Sequence, residues 1–252
     1  MKKLFFMGFA LLLCAMWPAD AAAQLKIGGR KLNTGKLLEA GKDVAKAVTL
    51  SDKDIAQLSR EAVEWMDANN PIADETTEYG ARLKRLTEGI TEINGLPLNF
   101  KVYHVVDVNA FACGDGSIRV FSALMDLMDD DELMAISGHE IGHVVHADVK
   151  HAMKNAYLSS AARNAAGAAE GSTLAKLSDS QLGEVVTAFT GAQFSQKQEY
   201  EADEYGFEFS VKNGFSPYGM GNSLNKLVEL SKGAKSSTVQ KLSLIHISEP
   251  TR

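Results

Sequence analysis

Apolar positions along this chain change their period twice, and the changes mark out its elements. Leu37, Leu38, Val44, Ala47 and Val48 recur at helical spacing and predict one helix. Ile55, Leu58, Ala62, Val63 and Met66 predict a second, opened by the capping box Ser51-x-x-Asp54 and closed at Asn69-Asn70-Pro71. Tyr79, Leu83, Leu86 and Ile90 predict a third, ended by Asn94-Gly95. The period then drops to two. Leu96, Leu98, Phe100 and Val102 alternate as in a half-buried strand, and Asn109–Cys113 and Ser117–Phe121 predict two short strands about the turn Gly114-Asp115-Gly116.

Helical spacing returns after Asp129-Asp130-Asp131-Glu132, whose acidic side chains suit a helix N-terminus. That helix carries Gly138 to Ala147, GHEIGHVVHA, among apolar Leu133, Ile136, Ile141, Val144 and Val145. Gly142 is expected to let its backbone approach a neighbouring strand. Ala161 to Gly171 is Ala/Gly-rich, either a close-packed helical continuation or a mobile loop. Leu174 to Phe194 reads as helix, and Ser195 precedes another that runs to Lys212 and stops at Asn213-Gly214. Ser216-Pro217 is placed to open a last helix with Met220, Leu224, Leu227 and Val228 inward.

The two ends stand apart from this pattern. Lys2 and Lys3 precede an apolar stretch from Leu4 to Trp17, and Ala21-Ala22-Ala23 offers the small residues a signal peptidase needs. Residues 1–23 are therefore read as a cleaved signal peptide, and the stretch is short for an anchor that spans a bilayer. Leu13 precedes Cys14 where a lipoprotein signal would carry a small residue. Residues 24–35 are polar and lead loosely into one domain, 36–241. The final segment, 242–252, ends SLIHISEPTR, similar to a translated sequencing adapter, and is expected to be non-native. His246 is given no role.

Charge and cysteine content narrow the function. Without Lys2, Lys3 and Asp20 the chain keeps 24 basic and 31 acidic residues, net −7. Such a surface argues against nucleic acid or anionic lipid as the main partner. Cys113 alone would remain in the mature chain, so its core or a metal must hold the fold without an intrachain disulfide. No other apolar run approaches bilayer length, so the mature chain is expected not to span a membrane.

Metal chemistry is the candidate activity. On a helix, His139 and His143 lie one turn apart, so both imidazoles can reach one Zn²⁺. Glu140 is angularly adjacent and placed to take a proton from a water at the site. His146 is rotated away. His151, eight residues beyond His143, would lie about 12 Å along the same helix at 1.5 Å per residue. A carboxylate from Glu199–Gly206, EYEADEYG, can complete a His₂Glu set, which leaves one position open for water. Asp203, one turn after Glu199, can accept the second N–H of a ligating histidine. Glu201 and Glu204 would turn away.

HEIGH and EYEAD together resemble the HtpX and CAAX-prenyl-endopeptidase family of gluzincin metallopeptidases, in particular its small secreted Gram-negative members. Asn109-Ala110-Phe111, Asp130-Asp131-Glu132-Leu133 and Gln193-Phe194-Ser195-Gln196 extend the resemblance across Leu37–Leu242. It implies an α+β, mostly helical zincin-like domain with a small β-sheet whose edge strand lines the cleft. Position by position, it implies one Zn²⁺ held by His139, His143 and Glu199, and a catalytic pair of Glu140 and Asp203, the latter acting on a ligand histidine. Asp148 stands where secreted relatives often carry a histidine, a position that does not ligate. The resemblance also implies a His-Pro motif and an Arg-containing helix after the last helix, where this chain carries its tail; that histidine is similar to the oxyanion-stabilising group of related zinc peptidases.

The function expected is zinc-dependent endoproteolysis of unfolded or damaged envelope proteins in the periplasm. Peripheral association with the outer membrane is left open. The rivals are a zinc-stabilised, non-catalytic chaperone or binding domain, and a metal-free structural protein.

Overall fold

A computed structural model describes residues 26–27, 30–31, 51–164 and 177–233. The signal segment, the helix expected over Leu37–Val48, most of Ala161–Gly171 and the C-terminal tail lie outside the described residues. β1 (Lys26–Ile27) and β2 (Arg30–Lys31) form an antiparallel pair of their own.

α1 (Asp52–Asn69) starts where its sequence says it should. Ser51 accepts from the Asp54 N–H, and the Asp54 carboxylate accepts from the Ser51 N–H at 2.8 Å, closing the capping box. β3 (Ile72–Ala73) follows, then α2 (Glu78–Leu86), capped by Thr77. Ile90, expected on this helix, lies beyond it: the chain leaves the helix at Thr87 and takes φ +81° at Gly89. Ile90 still packs on the core from the loop. Asn94 and Gly95, with φ of 51° and 78°, make a tight turn between β4 (Glu92–Ile93) and β5 (Leu96–Pro97).

The main sheet contains β3, β6 (Asn99–Tyr103), β8 (Ser117–Phe121) and β7 (Ala110–Ala112), in the order β3-β6-β8-β7. β6 and β8 run parallel, and the outer pairs run antiparallel. β7 is thus an edge strand. Alternation sends Val102, Ala110, Ala112, Ile118 and Val120 to one face, and Tyr103, Phe111 and Cys113 to the other. Both faces are covered, which is why the β8 sequence is buried almost throughout. α3 (Ser122–Leu127) then leads into α4 (Asp130–Val145), which packs its Leu133, Met134, Ile136 and Ile141 on the first face. The second face packs against α1, α5 (Asp148–Asn164) and α6 (Asp179–Thr190) through Leu58, Met66, Val149, Met153, Val185 and Phe189. Within the expected Leu174–Phe194 helix, the described helical part is α6.

α7 (Gln196–Lys212) begins at a second capping box, Ser195 with Gln198, and ends at Asn213, with Gly214 at φ +87°. α8 (Gly219–Gly233) starts two residues later than Ser216-Pro217 suggests. The Ser216 N–H is drawn instead to Asp131 Oδ1 at 2.9 Å, and its hydroxyl accepts from the Tyr218 N–H. Among the described residues no helix is long and apolar enough to cross a membrane. These elements make the α+β, mostly helical architecture expected, with a small mixed sheet and HExxH on a helix.

Candidate active site

α4 is fixed at its start before it delivers any chemistry. Asp129 accepts from the Glu132 N–H, and the Glu132 carboxylate caps the Asp129 N–H in return. Arg82 bonds Asp130 at 2.7 Å and the Met125 and Met128 carbonyls, while Lys226 of α8 reaches Glu132 at 2.5 Å. From this anchored end the helix runs inward until His139, Glu140 and His143 are almost wholly buried.

α7 supplies the other half, and small residues set the spacing. A Cβ on Gly206 would stand 2.7 Å from both the Ala135 carbonyl oxygen and the His139 nitrogen. One on Gly142 would stand 3.0 Å from Tyr205 Cβ and 3.1 Å from Ala202 Cα. The close partner of Gly142 is therefore α7 and not a strand, as the sequence had suggested. This approach brings Glu199 and Asp203, one turn apart on α7, against His139.

Three side chains converge. His139 Nε2 lies 3.1 Å from His143 Nε2 and 3.6 Å from Glu199 Oε2. One ligand atom from each of His139, His143 and Glu199 lies within 4.8 Å of the other two. At a typical Zn–N length of about 2.0 Å, two nitrogens on a tetrahedral ion stand about 3.3 Å apart, close to the separation here. Hydrogen bonding at the far side of each ring says which atoms are free to ligate. His139 Nδ1–H donates to Asp203 Oδ1 at 2.8 Å, and His143 Nδ1–H donates to Asp148 Oδ2 at 3.1 Å. Carboxylates accept, so both Nδ1 atoms carry hydrogen and both Nε2 atoms turn lone pairs toward each other and toward Glu199. Such a convergence of lone pairs suits a cation. His139, His143 and Glu199 are positioned to hold one Zn²⁺.

Electrostatics report the same demand. Burial disfavours a charged His139 ring, yet the Asp203 hydrogen bond and the charges of Glu140 and Glu199 outweigh it, and its pKa is raised. Burial and the neighbouring His139 lower that of His143. Burial, with the Glu199 charge, pushes Glu140 up to about 7, against the opposing pull of His139 and the Ala112 N–H.

His146 and His151 do not join the site. α4 ends at Val145, and Ala147 turns the backbone with φ 64°, so His151 lies on the separate helix α5 and not on a continuation of α4. Both side chains are exposed. Glu204 is exposed, and Glu201 pairs with Lys197 at 3.5 Å. Asp148, Gln198 and Phe194 were not anticipated as parts of the site. The Phe194 ring stacks on His143 with centroids 4.1 Å apart. No spacing rule reveals these partners, because the turn at Ala147 creates the first and the α7 cap the second.

Residues 79–245 match the sequence profile of peptidase family M48. The chain belongs to that family. It is 41% identical to the metalloprotease LoiP of Escherichia coli K12 over 224 residues, covering 88% of each chain. It is 37% identical to the metalloprotease YcaL of the same organism, covering 82% of this chain and 81% of that one. A shorter match, 31% identical, joins 54% of the chain to 29% of the E. coli beta-barrel assembly-enhancing protease. Membership of M48 and the His₂Glu set together mark the chain as a zinc metalloendopeptidase.

Proposed function

We propose that this M48 peptidase cleaves extended segments of unfolded or damaged envelope proteins in the periplasm, with Glu140 as the group that moves the proton. The observation that carries the proposal is the place of Glu140, buried beside the ligand triad and facing the edge strand at Ala112. Bound Zn²⁺ would polarise the scissile carbonyl and lower the pKa of a water. A Glu140 carboxylate oxygen takes the proton as water oxygen bonds to the carbonyl carbon. It returns that proton to the departing amine nitrogen as the C–N bond breaks. Asp203 holds the His139 ring so that Nε2 faces the site.

Register supports an extended substrate. Cys113 N–H donates to the Ser117 carbonyl, and Phe121 N–H to the Asn109 carbonyl, so odd-numbered residues of β7 face β8. The peptide groups of Ala110 and Ala112 therefore turn away from β8; both residues are covered and the Ala110 N–H is taken by Asn109 Oδ1 at 3.0 Å, so a substrate would enter beside Glu140 to reach their carbonyls. A substrate strand added there would be read mainly by its backbone, which suits clients without a common sequence. The signal-like N-terminus and the names of LoiP and YcaL, both metalloproteases of a Gram-negative bacterium, support a periplasmic place. Peripheral association with the outer membrane rests on the name of the beta-barrel assembly-enhancing protease. Fractionation of cells, with an N-terminus at Gln24, would test both placements.

Replacement Glu140→Gln should keep zinc and reduce casein cleavage by about 10²- to 10⁴-fold, the usual contribution of a positioned acid–base group. Full activity in a clean preparation would refute the assignment. A wild-type protein that binds zinc and unfolded chains without cutting them would instead be the zinc-stabilised binding domain.

A further inference from the structure

His143 is held as deliberately as His139, and by residues outside the proposed ligand set and proton-transfer group. Asp148 is 4% exposed although it opens a helix, because the positive-φ turn at Ala147 folds it back beneath the end of α4. Its Oδ2 accepts from His143 Nδ1–H, and its Oδ1 accepts from Gln198 Nε2–H at 2.5 Å. Gln198 has no freedom to turn its amide around. Its Oε1 already accepts from the Ser195 N–H at 2.9 Å and the Ser195 hydroxyl at 2.8 Å, the cap that starts α7. Glu199 is the next residue.

We propose that Asp148, oriented by Gln198, is a positioning residue that sets the ring of His143 for zinc, as Asp203 does for His139. This inference rests on the zinc-peptidase reading. The hydrogen-bond chain Ser195–Gln198–Asp148–His143 also ties the start of the helix bearing Glu199 to the second histidine ligand. The two ligands therefore take their places together. Phe194 stacks on one face of the His143 ring, with centroids 4.1 Å apart.

The test uses the hydrogen-bond polarity. In Asp148→Asn the new amide can accept from His143 only by turning its N–H toward Gln198, donor against donor. Adding Gln198→Glu supplies an acceptor there and keeps the cap, which glutamate serves equally well. Zinc affinity of the full chain, measured by competition with a chromogenic chelator, should fall about 10- to 100-fold in the single variant. It should recover most of that loss in the double variant. Imidazole N–H resonances of the zinc-loaded protein add a readout that a purely structural role would not move: the His143 signal should be lost in Asp148→Ala while the His139 signal persists. Wild-type zinc affinity in Asp148→Asn, or a double variant no better than the single, would overturn the inference. A wild type that takes up no zinc would overturn the function reading as well, so the two failures are distinct.

Discussion

Two charged clusters, each built around a buried group, lie on opposite faces of the same sheet, and they meet the cost of that burial differently. Between α1 and the sheet, Asp67 accepts from Arg119 at 2.9 and 3.1 Å, from Lys101 at 2.7 Å and from the Tyr103 hydroxyl at 2.6 Å. Arg119 is 1% exposed and spends a further donor on the Asn99 carbonyl. The buried Arg119 is thus neutralised by a carboxylate of the chain itself, while Lys101 keeps part of its side chain in solvent. Between α4 and α7, Asp148, Asp203, Glu140 and Glu199 surround two imidazoles. The first cluster answers its buried cation with its own carboxylate; the second gathers three ligand side chains that would hold a dication. A buried ion pair that balances itself is structural, whereas a buried excess of ligand atoms is a binding site.

Breaking each cluster should therefore produce different losses. The largest effect is expected from Glu199→Ala, which removes a ligand and should weaken zinc binding by more than about a hundredfold, beyond the 10- to 100-fold cost of losing an outer partner. Equilibrium dialysis measures it, and a variant that still binds one zinc with wild-type affinity would exclude Glu199 as the third ligand. Next is Asp67→Ala, which strands the Arg119 guanidinium and should cost about 3 kcal/mol of stability. Urea unfolding reports it, with zinc binding per folded molecule unchanged; a loss below about 1 kcal/mol would show that solvent or another group satisfies Arg119.

The pH dependence sharpens the contrast further. Burial opposes ionisation of Asp67, but its hydrogen bonds to Arg119, Lys101 and Tyr103 hold its pKa below 3.8 in the fold. Its contribution is thus present above the unfolded carboxyl value and lost only as pH falls through the lower folded value. The raised pKa of His139 has the opposite consequence for metal. A proton competes with zinc at pH values above the ordinary 6.5, and affinity declines steadily as pH falls. Between about pH 4 and 6 the chain should remain folded while it sheds zinc. Circular dichroism and metal content on the same samples would separate the transitions, and simultaneous loss of both would contradict the comparison.

Much of this could be read from local sequence, and the failures have a common cause. Ser51 with Asp54, Asn213 with Gly214 and the acidic run at Asp129 announce helix ends because capping is a matter of neighbours in the chain. His139 and His143 announce a ligand pair because a helix turn fixes their separation. The continuation of that helix to His151 was mistaken, since a single non-glycine residue, Ala147, adopts a positive φ without any local signal. The role of Gly142 was assigned to the wrong partner because a glycine shows that something approaches, but not what. Asp148 was placed from sequence only as a position that does not ligate, and its link to Gln198 was missed for the same reason: that bond spans 50 residues and exists only once α4, α5 and α7 have packed.

Metal content of the purified wild-type chain at pH 7.5, after dialysis against zinc and removal of excess, decides whether His139, His143 and Glu199 hold zinc. One zinc per chain is expected, lost to a strong chelator and restored on readdition, with the fold more heat-stable when loaded. A folded protein that retains no zinc under these conditions would contradict it.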